Sequence, residues 1–193
     1  MAEERRLFVA LAGASGMLYA HRLLQVLPAI YDRIYLTASE NALDIMRDEL
    51  AIANLCDMLP AGEESKFRIL SPTDMYAPPA SGSHEYEGMV IVPCSAGVAG
   101  RIAAGVSNDL VTRAGDVCLK ERRRVVLVLR ETPLSVVHLR NLLLLAEAGA
   151  TVLPAAPAFY SRPKEIADLA NYIVDKILCA LGIGARLTRE WGE

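Results

Sequence analysis

The feature that most constrains the fold is a repeated alternation: a short apolar run, a loop of small and polar residues, then a helical pattern. The runs Leu7–Leu11, Ile34–Thr37, Met89–Val92, Val125–Leu129 and Thr151–Leu153, with a weaker Phe67–Leu70, have the length and β-branched content of strands buried on both faces. Between them lie helical patterns at Met17–Leu27, Glu40–Ala53, Asn108–Leu119, Ser135–Ala148 and Glu165–Leu181. The last carries Ile166, Leu169, Ile173, Ile177 and Leu181 at helical spacing. This alternation predicts an α/β fold, a Rossmann-like, doubly wound parallel sheet of about six strands. With 193 residues, 53% of them hydrophobic, the chain has the size of a single domain spanning 1–193, and the loop-rich stretch 57–88 reads as an insertion within it.

Charge and cysteine usage narrow the class. Twenty Lys and Arg against 23 Asp and Glu give a net charge of -3, which argues against a nucleic-acid or membrane-surface partner and leaves room for a local anion site. Cys56, Cys94, Cys118 and Cys179 are widely spaced without a C-x-x-C pair, so they read as reduced, buried small hydrophobes of a cytoplasmic protein. No apolar stretch reaches the ~18 residues that would suggest a membrane span, and the start MAEERR is too charged for a signal peptide.

In an open α/β sheet the ligand sits outside the carboxyl ends of the strands. Here those ends read GASG, Ala38-Ser39-Glu40, PCSAG, RETP and PAAPAFY. Small residues let a ligand approach the backbone, and the helix that follows offers unpaired N–H groups to a phosphate. Gly13-Ala14-Ser15-Gly16 falls short of the dinucleotide pattern G-x-G-x-x-G and suits a flavin or mononucleotide better. Arg130-Glu131, directly after a buried strand, places a guanidinium where it can grip a phosphate with two prongs. Arg122, Arg123 and Arg124 read as a solvated basic turn, and His21, His84 and His138 as structural.

GASGMLYAHRLLQVL, APPASGS, VPCSAG, TRAGDVCLKERR, LVLRETPLSVVHLRN, PAAPAFYSRP and the tail REWGE together resemble the flavin prenyltransferases, the UbiX family, from Leu7 to Glu193. That family makes prenylated FMN for UbiD-type decarboxylases, joining a dimethylallyl group from dimethylallyl phosphate to N5 and C6 of reduced FMN. The resemblance implies that Gly13, Ala14, Ser15, Ser39, Ser95, Ala96, Gly97, Val98 and Arg130 bind FMN. It implies that Lys120, Arg130, Glu131, Tyr160 and Lys176 surround the prenyl phosphate, with Met75 lining the prenyl site, and that Ser15 and Glu49 move a proton near flavin N5. A dodecameric homo-oligomer is implied as well.

The chemistry of the residues agrees with that implication. Enzymes that ionise allylic diphosphates commonly hold magnesium on aspartate-rich motifs, and no D-D-x-x-D occurs here. A monophosphate held by Lys and Arg needs no metal to stabilise the charge that develops as its C–O bond breaks. Bland readings stand beside the functional ones: Ser15 as a helix N-cap, Glu49 as an exposed carboxylate, Tyr160 as packing, Lys176 as a solvated helix residue. Val98 stands where many members carry Thr, Met75 where some carry Trp, and Lys176 where others carry Arg. A flavin-dependent cysteine decarboxylase is the nearest rival, but Ser39-Glu40-Asn41 lacks its histidine and PCSAGV lacks its PASANT-like segment. The other rival is a non-catalytic flavin carrier or decarboxylase accessory subunit. Lys120, Tyr160 and Lys176 come from scattered segments, and with Trp191 beyond the last helix they suggest that neighbouring subunits complete the pocket.

Overall fold

The computed structural model describes residues 4–160, 162–184 and 187–188; Trp191 and the rest of the REWGE tail lie outside the described residues. Six strands, β1 (Arg6–Leu11), β2 (Arg33–Ala38), β3 (Phe67–Ile69), β4 (Gly88–Cys94), β5 (Arg124–Leu129) and β6 (Thr151–Pro154), form one sheet in the order β3-β2-β1-β4-β5-β6. All neighbours pair in parallel. This order reverses direction between β1 and β4, so the topological switch point, where an open sheet binds its ligand, lies between the loops that follow those two strands.

Helices α1 (Met17–Val26), α2 (Glu40–Leu50), α3 (Ala96–Ala103), α4 (Leu110–Lys120), α5 (Val136–Glu147) and α6 (Ile166–Ala180) cover the sheet. The alternation of side chains along each strand divides the interior into two cores. Leu7, Val9 and Leu11 of β1 pack with α1 and α6 in one core, which includes Leu23, Ile173 and Ile177. Phe8 and Ala10 pack in the other with Ile102 of α3, Leu110 and Ala114 of α4 and Leu145 of α5. Burying one large aliphatic side chain stabilises a fold by ~1.5–3 kcal/mol. The continuous apolar runs therefore fix both faces of the sheet at once.

Several expectations are corrected. The segment 57–88 carries β3, where the weak Phe67–Leu70 run stood, and beyond what its loop-rich composition suggests it buries Ala77, Ala80 and Tyr86 in the second core. Tyr86 Oη donates to the Pro79 carbonyl at 2.9 Å. Arg123 is no solvated turn residue, since it donates to the carbonyls of His84 at 2.9 Å and Gly82 at 2.7 Å and stacks on Tyr86. Cys94 and Cys118 are buried as expected, but Cys56 and Cys179 are exposed. Helix α3 was not expected as a helix, because GVAGRIAAG is poor in the bulky apolar residues that give helical periodicity its signal.

Candidate active site

The loop after β1 is built by three contacts. Ala12 N–H donates to the Pro93 carbonyl at 3.2 Å, tying it to the loop after β4, and Ala14 N–H turns back to the Ala12 carbonyl at 2.8 Å. Gly16 then adopts φ +105°, a left-handed conformation open to glycine, and begins α1. The third contact comes from afar in sequence. Glu49 Oε2 accepts from Gly16 N–H at 2.9 Å and Met17 N–H at 2.8 Å, and Oε1 lies 3.1 Å from Gly16 N. Glu49 thus places its own negative charge on the positive end of α1, where nucleotide-binding folds often seat a phosphate.

Two of the bland readings do not hold here. Ser15 is not the N-cap of α1, a position held by Gly16; its side chain is exposed and makes no hydrogen bond among the described residues. Glu49 is not an idle surface carboxylate. The two glycines serve the protein's own packing: a Cβ at Gly13 would lie 2.7 Å from Asn41 Cβ, and one at Gly16 would lie 2.9 Å from the Tyr19 ring. Burial, followed by the nearby Glu49 charge, raises the Tyr19 phenol above its ordinary pKa.

The next two loops start helices with serine caps. Ser39 N–H donates to the Leu11 carbonyl at 3.0 Å, which aligns the second loop with the first, and Ser39 Oγ accepts from Ala42 N–H at 3.2 Å. Ser95 Oγ accepts from Val98 N–H at 3.3 Å and opens α3. Ala96 and Val98 are buried, whereas Gly97 is exposed, and a Cβ built there would meet nothing within 4 Å. Gly97 therefore leaves open space beside the N-terminus of α3, a cradle that a side chain would fill.

Arg130 follows β5 and is placed by its own N–H, which donates to the Cys94 carbonyl at 3.0 Å. Its Nε is buried and has no hydrogen-bond partner among the described residues. A buried, unsatisfied guanidinium N–H is costly unless a ligand accepts from it. Glu131 beside it is half-buried and accepts from Thr132 N–H at 3.2 Å. The open cradle at Gly97 and the orphan donor of Arg130 fit a flavin mononucleotide, which presents both a flat ring and anionic oxygens.

Tyr160, after β6, meets Tyr172 of α6 edge-to-face at 6.2 Å, and Lys176 Nζ sits 5.3 Å from the centre of the Tyr172 ring. Tyr160 and Lys176 are thus brought together through Tyr172, which the sequence did not single out. Tyr172 and Lys176 border a groove of about 430 Å³ between β6 and α6, lined also by Val152, Leu153, Ile173 and Ala180. Lys120 is not brought to this cluster within one chain. It ends α4, bonded to Glu121, at the edge of the sheet where β5 begins, whereas Arg130 follows the other end of β5. Six strand residues separate those ends by ~20 Å. Met75 is 41% exposed in the loop after β3, with a fully exposed Tyr76 beside it. Among the described residues, no group of three or more His, Cys, Asp and Glu side chains gathers to hold a metal.

A family described as Flavoprotein matches residues 1–178. The flavin prenyltransferase UbiX of Halalkalibacterium halodurans is 42% identical over 190 residues, covering 96% of this chain and 92% of that protein. This chain belongs to the flavin prenyltransferase family. A solved structure of AnUbiX (PadA1) in complex with FMN and dimethylallyl pyrophosphate superposes with a TM-score of 0.90 at 35% identity, covering 99% of both chains. A dodecameric FMN-dependent Ubix-like decarboxylase from Escherichia coli O157:H7 gives 0.87 at 34% identity, covering 97% of this chain and all of that one. The six-stranded parallel sheet is the fold that the alternation of apolar runs and helical patterns predicted.

Proposed function

We propose that this flavin prenyltransferase relative transfers a dimethylallyl group from dimethylallyl phosphate to N5 and C6 of reduced FMN, giving prenylated FMN for a UbiD-type decarboxylase. The observation that carries the reading is the buried Nε of Arg130, without a hydrogen-bond partner among the described residues and beside the end of β4, in a chain 35% identical to one solved with FMN and dimethylallyl pyrophosphate. When bound, FMN supplies the nucleophilic atoms that take up the prenyl group.

The protein's residues supply positioning, charge and proton transfer. Gly13, Ala14, Ser15, Ser39, Ser95, Ala96, Gly97, Val98 and Arg130 hold the flavin. The backbone and small side chains of the first, second and fourth strand loops lie against its faces, and Arg130 donates to one of its oxygens or to the prenyl phosphate. Lys176, Tyr160 and Arg130 take the leaving phosphate, with Glu131 beside them as an acceptor that orients their donors, so that fixed cations balance the charge released as the C–O bond breaks. This arrangement needs no metal. Met75 shields the prenyl group.

Ring closure at C6 releases a proton. Glu49 is held within reach of the β1 loop by Gly16 and Met17, yet a carboxylate offers about four lone-pair sites and these two donors leave about two free. The unbonded hydroxyl of Ser15, adjacent to Gly16, relays the proton to it.

Lys120 enters from a second copy of the chain. Helix α5 supports such an assembly. Only Leu145 of its twelve residues is buried, while Val136, Val137, Leu139, Leu143 and Leu144 are 52–63% exposed. An apolar patch of this kind marks an interface, and we assign it to a cytoplasmic homo-oligomer, a dodecamer in the family's pattern. Among the described residues no helix is long and apolar enough to cross a membrane.

The test is direct. Protein, FMN, dithionite and dimethylallyl phosphate are incubated without added metal and with EDTA, and the flavin is weighed by mass spectrometry. A flavin heavier by one prenyl unit is expected; an unmodified flavin, with the diphosphate donor also inactive, refutes the reading.

A further inference from the structure

Helix α2 lies along the whole β1 loop and grips it at both ends. Asn41 meets Gly13, its Cβ 2.7 Å and its carboxamide carbon and Nδ2 each 3.6 Å from where a Cβ on Gly13 would stand. Glu49 holds Gly16 and Met17. Asn41, Ile45 and Glu49 are spaced i, i+4 and i+8, so they share one face of α2 over roughly 12 Å. Ile45 packs against the first core, which fixes that face toward the loop.

Asn41 packs against Gly13 and has no polar partner among the described residues. The cap of α2 is made by Ser39. The Asn41 carboxamide is exposed and forms no hydrogen bond among the described residues. It offers two N–H donors and one carbonyl acceptor at the mouth of the crevice, next to Gly13 and two residues from Ser39. The absent side chain of Gly13 makes room for it. A flavin mononucleotide carries acceptors at its carbonyl, ribityl and phosphate oxygens and a donor at N3, and a carboxamide matches either kind.

We propose that Asn41 is a further FMN-contacting residue, hydrogen-bonded to the flavin mononucleotide that lies against the β1 loop. The inference rests on the flavin reading of the site and extends it to a residue outside the small-residue loops. Asn41 orients the ligand from α2 and takes no part in the transfer of the prenyl group or the proton.

The experiment measures FMN and riboflavin affinity, by quenching of flavin fluorescence, for the unaltered protein, Asn41→Ala and Asn41→Asp. Loss of one hydrogen bond should weaken FMN binding by about 3- to 10-fold in Asn41→Ala. Its unfolding midpoint should stay that of the parent, because the carboxamide is exposed and unbonded. Asn41→Asp separates the ligand's two ends. Selective weakening of FMN over riboflavin places Asn41 on the phosphate, and equal changes for both place it on the ring or ribityl chain.

FMN affinity within twofold of the parent in both variants overturns the proposal. So does weakening that comes with an equal loss of stability, since Asn41 would then be a packing residue. Failure of the unaltered protein to bind FMN would refute the flavin reading instead, so the two failures are distinct.

Discussion

Replacing Glu49 separates its two assigned jobs, because alanine and glutamine damage them in different proportions. Alanine removes the acceptor of two backbone N–H groups at the start of α1, bonded at 2.9 and 2.8 Å. Hydrogen bonds to a charged group reach ~1.5–3 kcal/mol each, and solvent exposure of Glu49 brings the pair down to about 1–2 kcal/mol in total. For a chain of this size that is a fall in Tm of about 2–8 °C.

Glutamine keeps more of the anchor. Oε2 alone accepts from both donors, so a carboxamide oxygen in its place preserves both bonds. The amide nitrogen then faces Gly16 N, where Oε1 now lies at 3.1 Å. Glutamine should therefore cost about half as much as alanine, roughly 0.5–1 kcal/mol. The carboxylate base is absent from both. Thermal unfolding of the ligand-free protein should rank parent above Glu49→Gln above Glu49→Ala. Single-turnover absorbance with FMN and donor should show cyclisation lost equally in the two variants. Unchanged Tm in Glu49→Ala refutes the anchor, and parent-like cyclisation in Glu49→Gln refutes the proton role.

Gly97→Val should fill the open cradle and weaken FMN binding tenfold or more, on the order of 1.4 kcal/mol, while leaving the Tm of the ligand-free protein unchanged; a lower Tm with intact affinity would contradict it. Burial pushes the Cys94 thiol up to about 12 and the Cys118 thiol to about 11, so alkylation of the native protein at pH 8 should label Cys56 and Cys179 alone, read by peptide mass mapping before and after unfolding. The two-pronged bond from Arg5 holds Glu87 below its ordinary 4.5. The unfolded chain therefore binds more protons there, so this contribution is present above pH 4.5 and fades as pH falls below it. Arg5→Ala should flatten that acid limb in urea titrations, and an identical limb would refute the link.

Much of the fold was legible because buried parallel strands are written as continuous apolar runs. The expected runs fall within the observed strands to within one or two residues, and even the weak Phe67–Leu70 run marks β3. The loops at the carboxyl ends were legible for the same reason, since each strand points to the loop that follows it. What stayed hidden depends on distance in sequence. Glu49 meets Gly16 across 33 residues, a contact no local pattern announces. Lys120 looks close to Arg130 in sequence, but the intervening strand β5 carries them to opposite ends of the sheet's strands. Arg123 sits in a polar run and is nonetheless bonded to two carbonyls of the 81–84 loop, because a run of charges records composition and not what the chain folds against. Tyr172 could have been found, since it precedes Lys176 by one turn of α6.

The buried Nε of Arg130 changes when the penalty for desolvating that group falls due. An N–H withdrawn from water without an acceptor destabilises the folded chain by ~1–3 kcal/mol, and that penalty is present before any ligand arrives. A ligand oxygen that reaches it satisfies this donor, so relief of that penalty adds to the ligand's affinity. Occupancy should therefore register as a rise in melting temperature larger than an exposed guanidinium could produce, making the stability of the fold itself a gauge of whether the crevice is filled.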